Sequence, residues 1–229
     1  MQARARIERY DALLGWTAAV GADWLATAHH ADDQLETMIM RLNRGSGVAG
    51  LASVRERADT VVRPLLGWRR GELAAVVAAC GVTAIVDPSN DDQRFDRARL
   101  RRHLRDIEWI DPIAVVGAAR ALGDADAALD YHARAALKDF VALGPQSAMF
   151  GLPKLFDLPR ETQRRVVLKI IEHIDPAIKP RESALQNILD AMRDGINAMI
   201  GDWVFKTVDG VGMVLRATPR NAITPPAAP

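Results

Sequence analysis

The segment from Trp24 to Leu42 constrains the fold more than any other part of the chain. Residues 24–28 are a short apolar run that predicts a buried strand. Ionisable residues follow at once, in the sequence AHHADDQLET. Apolar residues then recur at the spacing of a helix: Leu35, Met38, Ile39 and Leu42. A strand that leads into a helix predicts the repeating unit of an α/β domain.

The flanking segments extend this alternation over residues 1–110. A helix is predicted over residues 7–20, with a partial apolar stripe formed by Ile7, Leu13, Leu14 and Ala18. Another is predicted over residues 69–80, and its inward face would hold Leu73, Val76, Val77 and Cys80. A strand over 83–86, a turn at 87–90 and a helix from about Arg94 to about Ile107 follow. We therefore expect an α/β domain with a parallel sheet.

The pattern changes after Asp111, where a second domain over residues 111–220 is predicted. Alanine-rich sequence runs to Phe140 and favours helix, and further helices are predicted over 159–174 and 182–193. The helix over 159–174 would bury Val166, Val167, Ile170 and Ile174 and expose Arg160, Arg164, Arg165 and Lys169. Residues 199–215 predict a small β-hairpin around Asp209-Gly210. The second domain should thus be mostly helical, with a disordered tail over 221–229.

The composition favours a cytoplasmic globular protein. Hydrophobic residues make up 49% of the chain and charged residues 26%, and no apolar run reaches the length of a membrane span. No apolar signal segment follows Met1. Cys80 is the one cysteine, so no internal disulfide is expected, and its surroundings predict a role in core packing.

The ionisable cluster predicts a site at one edge of the sheet. His29 and His30 would lie at the carboxyl end of the strand, where open α/β sheets bind ligands. Asp33 and Glu36 share one face of the following helix. The arrangement suits Mg²⁺ held through Asp32 and Asp33, or the positioning of an amine or a nucleotide, and suits zinc less well. The alternative for Asp32 alone is a helix cap.

Six arginines and one acidic residue, Asp96, lie between residues 94 and 105. Four of the arginines follow a helical stripe, and they are Arg94, Arg97, Arg101 and Arg105. A stripe of this kind matches an RNA phosphate backbone, although a charged run also occurs on an ordinary solvated face.

These motifs together resemble the tRNA(Ile)-lysidine synthetase family of N-type, or PP-loop, ATP pyrophosphatases. The resemblance is carried by the stretches 29–37 (HHADDQLET) and 44–51 (RGSGVAGL). Shorter matches lie at 5–10 (ARIERY), 63–66 (RPLL), 87–90 (DPSN), 97–101 (RARLR) and 216–221 (RATPRN). The resemblance spans nearly the whole chain, and its specific part is the first hundred or so residues.

The resemblance implies a Rossmann-like fold and an ATP-dependent carbon–nitrogen ligase. Such an enzyme adenylates the C2 oxygen of the wobble cytidine in the CAU anticodon of tRNA(Ile). The ε-amine of free lysine then displaces AMP and leaves lysidine. ATP and Mg²⁺ are the implied cofactors, tRNA(Ile) and lysine are the implied partners, no membrane is expected, and a homodimer is compatible with the pattern.

The resemblance also suggests roles for individual residues. Asp33 would hold the lysine ammonium group, and His29 would make a polar contact at the reacting centre. His30, Asp32 and Glu36 would line the site. Arg63 would lie at its rim, or else be a surface arginine before Pro64. The residues that would shape a neighbouring loop, or else form a plain turn, are Asp87, Ser89 and Asn90.

The chain departs from the family pattern in two places. It contains no Ser-Gly-Gly-x-Asp-Ser loop for the ATP phosphates, and Ala98 stands where the family has asparagine. The first departure suggests a truncated or mis-started reading frame, which would leave the domain without its first strands and its phosphate loop. Such a chain would be inactive alone. One alternative is a non-catalytic tRNA-binding remnant. Another is a metal-dependent phosphohydrolase, although no His-Asp pair accompanies His103, His132 or His173.

Overall fold

The computed structural model describes residues 2–83, 85 and 94–217. Residues 84 and 86 of the predicted strand over 83–86 lie outside the described residues, and Thr83 and Ile85 are not in a strand. The tail over 221–229 and the loop residues Asp87, Ser89 and Asn90 lie wholly outside the described residues. The chain divides into two compact units, residues 1–126 and 127–229. The division falls within one helix, Pro112–Phe140, whereas the sequence pattern changes at Asp111, because that change marks the start of the helix rather than the edge of a unit.

The first unit is a mixed α/β structure around a small sheet. Its elements are α1 (Gln2–Ala19), β1 (Leu25–Ala26), α2 (Ala31–Leu42), α3 (Val48–Leu51), β2 (Arg57–Ala58), β3 (Val61–Val62), α4 (Arg70–Ala79), α5 (Asp96–Leu104) and the start of α6 (Pro112–Phe140). The strand order is β1-β3-β2. β1 runs parallel to β3, with Leu25 opposite Val61, and β2 is antiparallel to β3. The parallel pair places the segments after Ala26 and after Val62 at the same edge of the sheet.

Two predicted apolar faces of the first unit are exposed rather than buried. On α1, the exposed fraction is 62% for Ile7 and 37% for Leu14. No residue of α4 is buried, and Val76 is 49% exposed. Cys80 is also exposed, so the prediction that it packs in a core is wrong. The helical spacing was read correctly, but the described residues of this unit provide no layer over these two faces.

The second unit combines helices with a larger sheet than the sequence predicts. After the end of α6 come β4 (Val141–Gly144), β5 (Ser147–Gly151), α7 (Leu152–Phe156), α8 (Arg160–Ile174), α9 (Glu182–Arg193), β6 (Ala198–Ile200), β7 (Trp203–Val208) and β8 (Val211–Arg216). The hairpin at Asp209-Gly210 joins β7 and β8, which lie inside a five-stranded antiparallel sheet of order β4-β5-β8-β7-β6. No helix in the described part of the chain is long and apolar enough to cross a membrane.

The core of the second unit lies between this sheet and helices α8 and α9. Val166, Val167 and Ile170 are fully buried, as their helical spacing predicts. Arg165 was expected on the exposed side of α8 but is buried, and its Nε donates to Glu161 over 2.7 Å. The side chain of Lys169 is also largely buried, and it pairs with Asp130. The basic patch predicted on α8 is therefore largely compensated by carboxylates of the same unit.

Candidate functional site

His30 and Asp33 fix the start of α2. The backbone of His30 is extended, and its N–H donates to Asp33 Oδ2 over 3.1 Å. In return, the N–H of Asp33 donates to His30 Nδ1 over 3.3 Å, which closes a reciprocal cap. Because Nδ1 accepts a hydrogen bond, a neutral His30 carries its proton on Nε2. The cap of α2 is thus made by His30 and Asp33, and Asp32 is left to make other contacts.

Asp32 caps a different helix. Its Oδ2 accepts the backbone N–H of Arg70, the first residue of α4, over 2.7 Å, and its Oδ1 lies 3.3 Å from Arg69 Nη2. Burial acts to raise the pKa of Asp32, but the Arg70 N–H and the Arg69 guanidinium outweigh it, so the pKa lies below its ordinary value. Sequence reasoning missed both arginines. The available signal was two consecutive arginines at the start of a predicted helix, shortly after the Arg-Pro-Leu-Leu segment.

Asp33 and Glu36 bind two arginines of α5. Arg97 donates to Asp33 Oδ1 and to Glu36 Oε2, each over 2.6 Å. Arg101 donates to Glu36 through Nε over 2.7 Å and through Nη2 over 3.1 Å. The Glu36 side chain is only 4% exposed. The acidic cluster and the arginine stripe, which the sequence presents as two separate sites, therefore meet in one network.

The remaining predicted residues of this edge lie around the network. His29 Nδ1 and Thr27 Oγ1 share a hydrogen bond of 2.9 Å. Gln34, which is buried, holds α2 in place through two hydrogen bonds with the backbone of Val54. Arg63 follows β3, and its Nη1 donates to the carbonyl of Arg55 over 2.8 Å. The guanidinium of Arg63 is thus bound to the loop backbone, and this residue does not join the network of Asp33 and Glu36 in the described structure.

A cavity of about 360 Å³ opens beside the network. Its lining carries three acidic residues, Asp32, Glu36 and Glu108, and four arginines, Arg69, Arg70, Arg101 and Arg105. Arg94 and Arg97 line a second cavity instead. The predicted arginine stripe is therefore divided between two cavities. The mixed lining of the first suits a small ligand that carries both an ammonium and a carboxylate group.

The described residues do not fit a protein-held Mg²⁺ ion at Asp32 and Asp33. Both oxygens of Asp32 accept hydrogen bonds from Arg69 or Arg70, and Asp33 is held by Arg97 and His30. Mg²⁺ at either carboxylate would need several oxygen ligands at about 2.0 to 2.1 Å, whereas the groups already next to these oxygens are N–H donors. No group of three or more potential metal ligands occurs among the residues that the structure describes. We therefore assign no step of the chemistry to a metal at these two residues.

Comparison with known proteins gives two results. Residues 1–107 match the family model described as a PP-loop domain. The chain is 37% identical over 202 residues to a tRNA(Ile)-lysidine synthase from Novosphingobium aromaticivorans, covering 85% of this chain and 61% of that protein. It is 36% identical over 212 residues to one from Zymomonas mobilis, covering 88% and 63%. The chain thus spans about three fifths of the length of these curated relatives.

Proposed function

We propose, from the match of residues 1–107 to the PP-loop domain model, that this chain carries the lysine and RNA side of a tRNA(Ile)-lysidine synthase site. The reaction is an ATP-dependent carbon–nitrogen ligation. The C2 oxygen of the wobble cytidine attacks the α-phosphorus of ATP and pyrophosphate leaves. The ε-amine of lysine then attacks C2, and AMP leaves with the former C2 oxygen.

The observation that carries the proposal is the mixed-charge cavity beside α2, which Asp32 and Glu36 line directly and which Asp33 adjoins through the lining residue Arg101, 3.8 Å away. Free lysine presents one carboxylate and two ammonium groups, and the cavity offers both carboxylates and guanidinium groups within one space of about 360 Å³. The curated relatives from two organisms, which carry the name of this activity, support the same reading.

We assign the roles as follows. Asp33 receives the lysine ammonium: each of its oxygens already accepts a hydrogen bond, but a carboxylate oxygen has a second lone pair for a further donor. His29, oriented by Thr27, contacts the reacting centre. His30, Asp32 and Glu36 hold this edge in shape, and Arg101 and Arg97 keep Glu36 and Asp33 in fixed positions.

Arg94 and Arg105, with Arg97 and Arg101 between them, contact the tRNA backbone in this proposal. Arg97 and Arg101 would contact the tRNA backbone while they also bind Asp33 and Glu36, which compensate part of their charge. ATP is the proposed adenylate donor. The 229 residues contain no Ser-Gly-Gly-x-Asp-Ser sequence, so we propose that they do not catalyse the ligation by themselves.

The test is lysine incorporation into RNA. Labelled lysine, ATP and a CAU-anticodon tRNA(Ile) transcript are incubated with the 229-residue chain and with a protein that carries a Ser-Gly-Gly-x-Asp-Ser loop ahead of residue 1. We expect acid-precipitable lysine and AMP only with the second protein. In that protein Asp33→Asn should lower incorporation by about 100-fold or more, since removing a charged contact in a buried site costs several kcal/mol.

Matched variants separate the site from general damage. Asp59→Asn makes the same chemical change at an exposed turn between β2 and β3 and should leave incorporation unchanged. His103→Ala, at an exposed position of α5, is the control for His29→Ala. Full incorporation by Asp33→Asn would refute its assignment. Salt-sensitive tRNA binding without any AMP in either protein would instead favour a non-catalytic RNA-binding protein.

A further inference from the structure

A second cavity, of about 350 Å³, lies between the end of α2 and the start of α5. Arginines enter its lining from both sides: Arg41 and Arg44 from the α2 end, and Arg94 and Arg97 from the α5 end. One carboxylate, Asp96, is also in the lining, and it already accepts a hydrogen bond from Arg99. Arg97 is also paired with Asp33 and Glu36, but the four guanidinium groups still leave an excess of positive charge, which makes this a cavity for an anion.

Two of the four arginines are held in place before any ligand arrives. Arg41 Nη1 donates to the carbonyls of Gly50 and Ser53, over 2.5 and 3.2 Å. Arg97 is held by Glu36 and Asp33. Fixed donors lose little conformational freedom on binding, which favours affinity. Arg44 and Arg94 are exposed at the mouth of the cavity.

The position of the cavity ties it to the reacting edge. Thr37, in its lining, lies one turn along α2 from Asp33, a distance of about 6 Å along the axis. Arg97 takes part in both places. From Arg97 the arginines of α5 continue to Arg105, about 12 Å further. This span is longer than one phosphate group, and it matches an RNA strand that places several of its phosphates along the helix.

Phe95 adds an apolar surface to the same cavity. Its side chain is half-buried, at the residue that precedes α5. Proteins bind single-stranded RNA with an aromatic ring beside a group of arginines, because a base stacks on the ring while the phosphate binds the guanidinium groups.

We propose that this second cavity binds a backbone phosphate of RNA, with the adjoining base against Phe95, next to the nucleotide that reacts at Asp33. The proposal rests on the proposed function for the identity of the RNA, but its chemistry needs only a phosphodiester strand. It adds Arg41, Arg44 and Phe95 to the RNA contacts and makes the loop after α2 part of the interface.

The experiment measures binding of a fluorescent CAU anticodon stem-loop to the 229-residue chain between about 0.05 and about 0.2 M salt. The double variant Arg44→Gln with Arg94→Gln should bind about tenfold more weakly near 0.1 M salt. The slope of log K against log salt concentration should be shallower by about 1.4, since two arginines no longer contact RNA phosphates. Phe95→Leu should lower affinity about fivefold or more with the slope unchanged, because stacking involves no counterion.

The control is Arg9→Gln with Arg102→Gln, which removes two exposed arginines of α1 and α5 that do not line the cavity. This protein has the same net charge as the test variant and should keep the wild-type slope. Replacing Arg44 and Arg94 by lysine should restore most of the slope, which also shows that the fold is intact.

Three outcomes are decisive. Equal losses in the test and control variants would mean a diffuse electrostatic effect and would overturn the proposal. Loss of ATP binding by the test variant, with its RNA slope unchanged, would assign the cavity to a free nucleotide and would also overturn it. Loss of RNA affinity only in the test variant supports it. That result would stand even if no lysidine forms, in which case only the proposed function fails.

Discussion

Replacing Glu36 by glutamine is expected to release α5 from α2. No residue of α5 is buried, so this helix has little apolar contact to hold it. Three hydrogen bonds from Arg97 and Arg101 end on the Glu36 carboxylate, which is 4% exposed. The substitution keeps the size of the side chain and removes its charge, so it tests the ion pairs rather than the packing.

The expected cost follows from the burial of the three groups. Removing one partner of a fully buried pair costs about 3 to 5 kcal/mol. Here the Arg97 and Arg101 side chains are 36% and 20% exposed, so water can partly solvate them after the change. Arg97 also keeps its bond to Asp33. We therefore expect about 2 to 3 kcal/mol, which corresponds to a rise of about 30- to 150-fold in the opening equilibrium of α5.

Amide hydrogen exchange of α5 peptides measures this opening directly. The matched control is Asp96→Asn, which removes the carboxylate of an exposed pair with Arg99 on the same helix and should change exchange by less than about fivefold. Exchange of α5 that rises no more in Glu36→Gln than in Asp96→Asn would refute the reasoning, since the buried network would then contribute no more than a surface pair.

Three further outcomes test other parts of the structure. Because the folded-state pKa of Asp32 lies below its ordinary value, its contribution to stability is present above about pH 4 and is lost as the pH falls through the folded-state pKa. In urea unfolding from about pH 6 to about pH 3, the free energy of unfolding should therefore fall less steeply for Asp32→Asn than for wild type. Parallel curves for the two proteins would contradict this. Ile170→Ala should lower the free energy of unfolding of the second unit by about 3 kcal/mol in the same assay, against less than about 1 kcal/mol for Ile196→Ala, an exposed position of the same unit. Cys80 should react with a thiol reagent in the native chain nearly as fast as in denaturant, and strong protection would contradict its exposure.

The family resemblance read from the motifs is confirmed by the match of residues 1–107 and by the named relatives. Helix α2 could also be read from the sequence, because its periodicity and its capping residues lie within a few positions of one another. The same holds for the buried face of α8, where Val166, Val167 and Ile170 recur at helical spacing and all reach the core. Local patterns of this kind depend on the backbone period alone.

Strand pairing was less accessible to sequence reasoning. β4 lies directly after a long alanine-rich helix, and its burial does not alternate as that of a half-buried strand would. Its partner β5 follows after a two-residue turn, but the position of β8 next to β5 depends on contacts between distant segments. The sequence therefore predicted a hairpin at Asp209-Gly210 but not the five-stranded sheet around it. On α4, the apolar period was present, yet period alone says nothing about whether another layer covers the face.

The sequence by itself determined which ionisable residues gather at the end of β1 and which face of α2 they occupy, because both follow from the alternation of a strand and the turn of a helix. Only the tertiary structure decided their partners. Arg97 and Arg101 lie 61 and 65 residues beyond Glu36, and Arg69 lies 37 residues beyond Asp32. A stripe of arginines looks the same in sequence whether it faces RNA or a carboxylate of its own chain. Which it faces depends on how distant helices pack, and here that packing divides the stripe between two cavities and joins it to the acidic cluster.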